Sequence, residues 1–214
     1  MGVAKMLKGE TGKIRKFSRY EFKSLLIPAV VITLICLVSA TILVGTYEIT
    51  KPIIETNNAK RAEAARIEVF SAAGSQGFWE IPKEKLPGLF EGNVPDGLVD
   101  IYVANNKTGV VITTEDKGFG GSIVVVTGID KSGKITGINI TDHTETPGLG
   151  TKAMTVEFLS QYMGKEKIDS SPNADKYTEI DAVTGATVSS NAVFRAVEKA
   201  LKGYGELGGV PNVY

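Results

Sequence analysis

The stretch Asp181–Ser190, "DAVTGATVSS", sets four hydroxyl side chains, Thr184, Thr187, Ser189 and Ser190, around a Gly185-Ala186 pair and directly before an apolar helical run. Thr187 falls just ahead of the expected helix N-terminus, where unpaired N–H groups and the helix dipole favour an anion. Gly185 and Ala186 remove side-chain bulk, so a large ligand can approach the backbone. The combination describes a phosphate seat containing an esterifiable hydroxyl. By spacing alone the same residues also make an ordinary helix cap and turn, with Ser189 or Ser190 as cap, and spacing favours that simpler arrangement.

Composition narrows the chemistry further. One Cys and one His in 214 residues exclude a four-ligand zinc site and a four-thiolate iron–sulfur cluster within this chain. No Cys-x-x-Cys-His run offers haem attachment. If the protein moves electrons, the carrier is organic. "GFGGS" at Gly118–Ser122 begins like a dinucleotide loop, but Ile123 occupies the final glycine position and Val-rich strand follows, so it reads as a bend or bulge in a sheet. His143 has no paired nucleophile, and Asp181 has no companions that would complete a metal site. The formal charge of zero gives no basis for nucleic-acid binding.

These residues need positioning elements. From Ser24 to Tyr47 no residue is charged, a run longer than the roughly 20 residues that cross a hydrocarbon core. A cleaved signal peptide ending near Val38–Ala40 is the alternative, but the apolar run continues through Val44. Lys5, Lys8, Lys13, Arg15, Lys16, Arg19 and Lys23 precede the run against only Glu10 and Glu21. The positive-inside bias therefore predicts a single-pass cell-membrane protein with its N-terminus in the cytoplasm and its C-terminal domain outside. Tyr20, Phe22 and Tyr47 are placed to anchor at headgroup level. Cys36 lies within the span as a small apolar filler.

Beyond the span, the periodicity predicts a juxtamembrane helix over 48–73 and an irregular, Gly- and Pro-rich connection over 74–97. The pattern then alternates with period two. It predicts hairpins turning at Asn106–Gly109 and Asp130–Lys134, hence an antiparallel sheet. Helical signals return at Thr151–Gly164, with Ala153, Met154, Val156, Phe158, Leu159 and Tyr162 as apolar positions. They recur after Ser190 on a face of Val193, Phe194, Val197, Ala200, Leu201 and Tyr204, with Gly203 or Gly205 as the stop. The domain organisation expected is a basic arm (1–24), a transmembrane helix (25–47), the juxtamembrane helix, the connection and a folded domain (98–214). The class is α+β, with helices flanking the sheet.

The residues Asp181, Thr184, Gly185, Ala186, Thr187 and Ser189 resemble the flavinylation motif of the FMN-binding domain family, Asp-x-x-Ser/Thr-Gly-Ala-Thr/Ser-x-Ser/Thr. That resemblance implies an FMN phosphate esterified to Thr187. It also implies recognition of Asp181 by a separate flavin transferase, which uses FAD as donor and releases AMP. A second segment, Gly118–Gly150, resembles the same family's glycine-kinked hairpins and its loop, here His143, Glu145, Thr146, Pro147, Gly148, Leu149 and Gly150. It implies that this loop lies against the isoalloxazine, with Thr146 and Leu149 as contacts. His143, Glu145 and Gly148 belong to the same cofactor-binding set.

With its N-terminal anchor, the chain is similar to the G subunits of Rnf electron-transport complexes, and also to the C subunits of sodium-translocating NADH:quinone reductases. The resemblance implies an electron-relay subunit of an ion-translocating ferredoxin:NAD oxidoreductase. Its expected partners are other membrane subunits, membrane lipid and, during maturation, the transferase. Its extracytoplasmic domain would be an FMN-binding one, with covalent attachment retaining the flavin outside the cell. The sequence leaves open a flavin-binding sensory or regulatory module, and a non-redox interaction domain in which the motif is only a cap.

Overall fold

The computed structural model describes residues 19–91, 94–168 and 180–211. The basic arm through Ser18 lies outside those residues, as do the side chains through Leu25. The chain divides into two compact units, one ending at Thr56 and the other beginning at Asn57.

The first unit is helical. Helix α1 (Arg19–Val69) begins there and continues as one helix into the second unit. Its most apolar stretch has a mean hydropathy of 2.7, and its side chains from Leu26 to Tyr47 are exposed. Threonines within the run return their hydroxyls to carbonyls one turn back, Thr33 to Ala29 at 2.9 Å and Thr41 to Leu37 at 2.8 Å. Satisfied this way, a hydroxyl can lie in hydrocarbon at little cost. By length and composition the helix can cross a membrane as a single-pass anchor.

The second unit is α+β. Strands β1 (Phe78–Glu80), β2 (Leu98–Ala104), β3 (Gly109–Lys117), β4 (Ser122–Asp130) and β5 (Ile135–His143) form one antiparallel sheet in that spatial order. Alternation assigns the faces. Val110 and Ile112 of β3, with Ile123, Val125 and Ile129 of β4, point to one side; Val111 and Val126 point to the other.

The second side is covered by the end of α1, through Val69 and Phe70. Its backbone lies so close that a Cβ on Gly137 would fall 2.6 Å from the Val69 Cα. The Thr136 hydroxyl donates to the Val69 carbonyl at 2.7 Å, and the Arg66 guanidinium stacks 4.0 Å above the Tyr102 ring. Residues of β2 and β5, more than thirty apart in sequence, thereby fix the helix end to the sheet.

Two short helices, α2 (Leu86–Leu89) and α3 (Val156–Ser160), and the long helix α4 (Thr187–Glu206) complete the unit. On α4, Ala192, Val193, Ala196, Val197 and Ala200 are buried at the 3–4 spacing of an amphipathic helix. They pack on β3 and β4. Burying each larger apolar side chain contributes about 1.5–3 kcal/mol.

Several expectations are corrected. The segment 74–97 is not wholly irregular: Trp79 pairs with Val103 in the sheet, and Ile81, Leu86 and Phe90 enter the core. Helix α4 begins at Thr187, earlier than expected, and passes Gly203 and Gly205 to end at Glu206. Neither Ser189 nor Ser190 caps it; the N-cap position is Ala186. Val156 was expected on the apolar stripe but is 84% exposed, because α3 is little more than one turn and buries chiefly Phe158.

One charged cluster ties α4 to β3. Arg195 donates to Asp116 Oδ1 from both Nε (2.9 Å) and a terminal nitrogen (2.7 Å), and Lys199 Nζ lies 2.7 Å from Oδ2. Burial pushes the Asp116 carboxyl up, but the hydrogen bonds and charges of Arg195 and Lys199 outweigh it and hold the group below its ordinary value. A carboxylate depressed in the folded state stabilises in full above its unfolded-state value, and that stabilisation is lost as pH falls from there through the lower folded-state value. Asp116→Asn should lower neutral-pH stability by on the order of 1 kcal/mol, since the two cations are partly solvated. Thermal melts of the detergent-solubilised chain across the acidic range should show wild type and variant converging as Asp116 protonates.

Candidate functional site

Three segments converge beside the start of α4. One is the glycine bend Gly118–Gly121 between β3 and β4, closed by the Gly118 N–H donating to the Gly121 carbonyl at 2.7 Å. The second is the loop that follows β5, Thr144–Leu149. The third is the approach to α4 from Ile180, which is 1% exposed and anchors that approach in the core.

The approach is held by side chains standing in for backbone partners. Gln161 grips Asp181: its Oε1 accepts from the Asp181 N–H at 2.8 Å and its Nε2 donates to the Asp181 carbonyl at 3.3 Å. The chain then turns through Val183–Ala186, with the Ala186 N–H donating to the Val183 carbonyl at 2.9 Å. Gly185 takes a φ of 80°, a conformation that disfavours a side chain. The buried Ser190 hydroxyl accepts from the Val183 N–H at 3.1 Å, which ties the turn to the helix.

The first backbone bond of α4 runs from the Ser190 N–H to the Ala186 carbonyl at 2.8 Å, and no side chain caps the helix. The amides of Thr187, Val188 and Ser189 therefore lie ahead of the helical ladder, with the positive end of the helix dipole. Thr187 is the first helical residue and its side chain is exposed.

Over this terminus opens a cleft of about 320 Å³. It is lined by Phe119, Glu145, Thr146, Leu149 and Gly150, together with Gly185 through Ser189. Phe119, Leu149 and Val188 are 76%, 55% and 50% exposed, so the walls present apolar surface to solvent. Such a cleft lies at the small end of the size range for organic ligands. Nothing lies within 4 Å of a Cβ built on Gly185, so the way to Thr187 stays open.

Glu145 is 5% exposed and fastens the segments together. Its Oε1 accepts from the Gly120 N–H at 2.9 Å, and its Oε2 accepts from the Ser189 hydroxyl at 2.8 Å. Ser189 is thereby engaged by the loop, while Thr187, two residues earlier, has its side chain exposed.

Of the residues expected from sequence, Glu145, Thr146, Leu149, Gly185, Ala186, Thr187 and Ser189 meet at the cleft. Asp181, Thr184 and Gly148 do not line it. Gly148 shapes its loop through a φ of 76° and an N–H bond to Thr151 Oγ1 at 2.9 Å. His143, paired with Ile123 at the end of β5, lines a separate groove with Ile140, Met154, Val156 and Leu159. Phe119 and Val188 were missed. A phenyl ring between glycines at a hairpin tip has nowhere to bury itself, and that was the available signal for Phe119.

An uncapped helix terminus beneath an open apolar cleft defines a domain suited to a phosphorylated, partly apolar ligand, and residues 118–202 match the FMN-binding domain family. Over 189 residues the chain is 32% identical to the G subunit of the Na(+)-translocating ferredoxin:NAD(+) oxidoreductase complex of Acetobacterium woodii, covering 83% of this chain and 90% of that one. It is 30% identical to the G subunit of the proton-translocating ferredoxin:NAD(+) oxidoreductase complex of Clostridium ljungdahlii, covering 80% of this chain and 86% of the other. The crystal structure of Shewanella oneidensis NqrC overlaps 50% of this chain and 58% of its own, at 23% identity and a TM-score of 0.41. The chain belongs to the G-subunit family of ion-translocating oxidoreductase complexes.

The Gln161 grip on Asp181 yields a test of how the approach is held. Gln161→Leu should speed exchange of the Asp181 amide and the residues around it, while amides of the β3–β4 pairing stay protected. Hydrogen–deuterium exchange mass spectrometry measures both in one experiment.

Proposed function

We propose that this chain is the electron-relay subunit of an ion-translocating ferredoxin:NAD oxidoreductase complex and carries FMN as a phosphoester on Thr187. The observation that supports attachment there is the exposed Thr187 hydroxyl at the first position of α4, on an uncapped terminus and inside an apolar cleft. Membership of the G-subunit family supports the assembly.

The residues present fit the group. The Thr187 Oγ1 supplies the ester oxygen. The free amide end of α4 offsets phosphoryl charge. Phe119, Leu149 and Val188 give apolar surface for the ring system and keep water from it, and Thr146 lies beside Leu149 on the same wall. FMN, when bound, takes up and releases electrons; the chain fixes where that happens. In attachment, the Thr187 Oγ1–phosphorus bond forms as the pyrophosphate linkage of the FAD donor breaks. AMP departs and the hydroxyl proton passes to solvent. Asp181, exposed and held by Gln161 just before the turn, is the residue offered to the flavin transferase.

The membrane-crossing part of α1 (25–47) anchors the protein in lipid, with the basic arm in the cytoplasm. The remainder of α1, which ends at Val69, leads to an extracytoplasmic FMN-binding domain that includes residues 98–214. Other membrane subunits of the complex are its electron-transfer partners, and the covalent bond keeps the flavin from diffusing away outside the cell.

Protein matured with its transferase should run on a denaturing gel as a flavin-fluorescent band. Mass spectrometry should map a single FMN phosphodiester to the peptide containing Thr187. Thr187→Ala should abolish both signals, and a persisting band would refute the attachment site. For orientation, Ser75→Cys in a Cys36→Ala background should react with a membrane-impermeant maleimide on intact cells. Labelling only after lysis would reverse the topology.

A further inference from the structure

We propose that Glu145 is a positioning residue whose fixed negative charge also sets the redox potential of the cleft's flavin, holding it more negative than a neutral side chain would. This rests on the reading that FMN occupies the cleft.

The carboxylate occupies a site built for it. It is buried, and both oxygens are engaged, by the Gly120 N–H at 2.9 Å and the Ser189 hydroxyl at 2.8 Å. The chain around it is stripped of side chains. A Cβ on Gly118 would collide with Oε1, and one on Gly150 would collide with Oε2 while falling 2.8 Å from the Ser189 hydroxyl. Two glycines thus leave the room that a carboxyl group fills.

No ion pair among the described residues includes Glu145. Among the described residues its charge is met by dipoles: the Gly120 amide, the Ser189 hydroxyl and the positive end of α4. Burying a carboxylate without a cation is costly, and a glutamine of nearly the same shape would make the same two links without that cost. What the carboxylate adds is its charge.

That charge sits in the wall of the cleft, whose lining Thr146, Leu149 and Thr187 share. Reduction brings negative charge into the cleft. A fixed carboxylate shielded from solvent opposes it more strongly than it would in water. The flavin is therefore harder to reduce and a stronger donor once reduced. Glu145 also draws Ser189 into its own network, which leaves Thr187 as the free hydroxyl at the terminus.

The test is Glu145→Gln in the full-length chain, matured with the transferase and compared with wild type. The carbonyl of the introduced glutamine can accept from the Gly120 N–H, and its amide can donate to the Ser189 oxygen, so both links can persist while the charge is removed. Expected are an FMN adduct on the Thr187 peptide, a melting temperature near wild type and a midpoint potential shifted to more positive values by spectroelectrochemistry. Glu145→Ala, which removes both links, should melt lower than either. An unchanged or more negative potential in Glu145→Gln overturns the proposal. So does a Glu145→Gln chain that fails to fold or load where wild type succeeds, because the role is then structural. A wild-type chain lacking the Thr187 adduct overturns the attachment reading instead; potentials are then compared on FMN bound without a covalent link, and failure to bind any FMN overturns both.

Discussion

Burial of the apolar face of α4 against β3 and β4 is the constraint from which the site follows. Ala192, Val193, Ala196, Val197 and Ala200 can leave water together only if the helix lies along those strands. The buried Thr114 hydroxyl, donating to the Ala196 carbonyl at 2.8 Å, then fixes how far along it lies. With rotation and translation both set, the N-terminus of α4 has one place to be: beside the glycine bend joining β3 to β4. The Asp116 cluster holds the outward-facing side of the same junction. Core packing thus delivers an uncapped helix end to the mouth of a cleft.

That helix end carries two anionic demands at once. Glu145 reaches it through Ser189, and an esterified phosphate would reach it through Thr187. The two residues are two positions apart on the helix, so their side chains diverge and each anion is met separately. Gly118 and Gly150 serve the first demand by admitting the carboxyl group, and Gly185 serves the second by leaving open space. Glycine in this region has two uses, room at Gly118, Gly150 and Gly185 and, at Gly185, a backbone turn through positive φ as well.

Sequence patterning exposed much of this fold because its elements are locally determined. The strands of both central hairpins are rich in Val and Ile, and their turns contain the polar and glycine residues that turns require. The sheet could therefore be read without tertiary information. β1 could not: Phe78–Glu80 is too short to show a period and is a strand only because β2 offers it a partner. The start of α4 was misread for a related reason. Ser189 and Ser190 have the side chains of caps, but Glu145 and the Val183 N–H claim their hydroxyls. The helix therefore starts at a β-branched threonine that propensity would not choose. Most of the site was legible from its two motifs. Phe119 escaped because its place in the cleft with Thr187 is a product of the folded topology, and His143 shows the converse, adjoining the right loop at the end of β5 but facing another groove.

The sheet has a simple meander order, each strand paired only with its neighbours in the chain, whereas α4 meets β3 across about eighty residues, as in the 82-residue separation of Thr114 and Ala196. Local hairpins close quickly and long loops slowly, so the strands can assemble during synthesis while the helix docks afterwards. The cleft over Thr187, which Phe119, Glu145 and Leu149 line together with the start of α4, does not exist until the helix has docked. A chain that stalls before that closure holds both hairpins but no cleft.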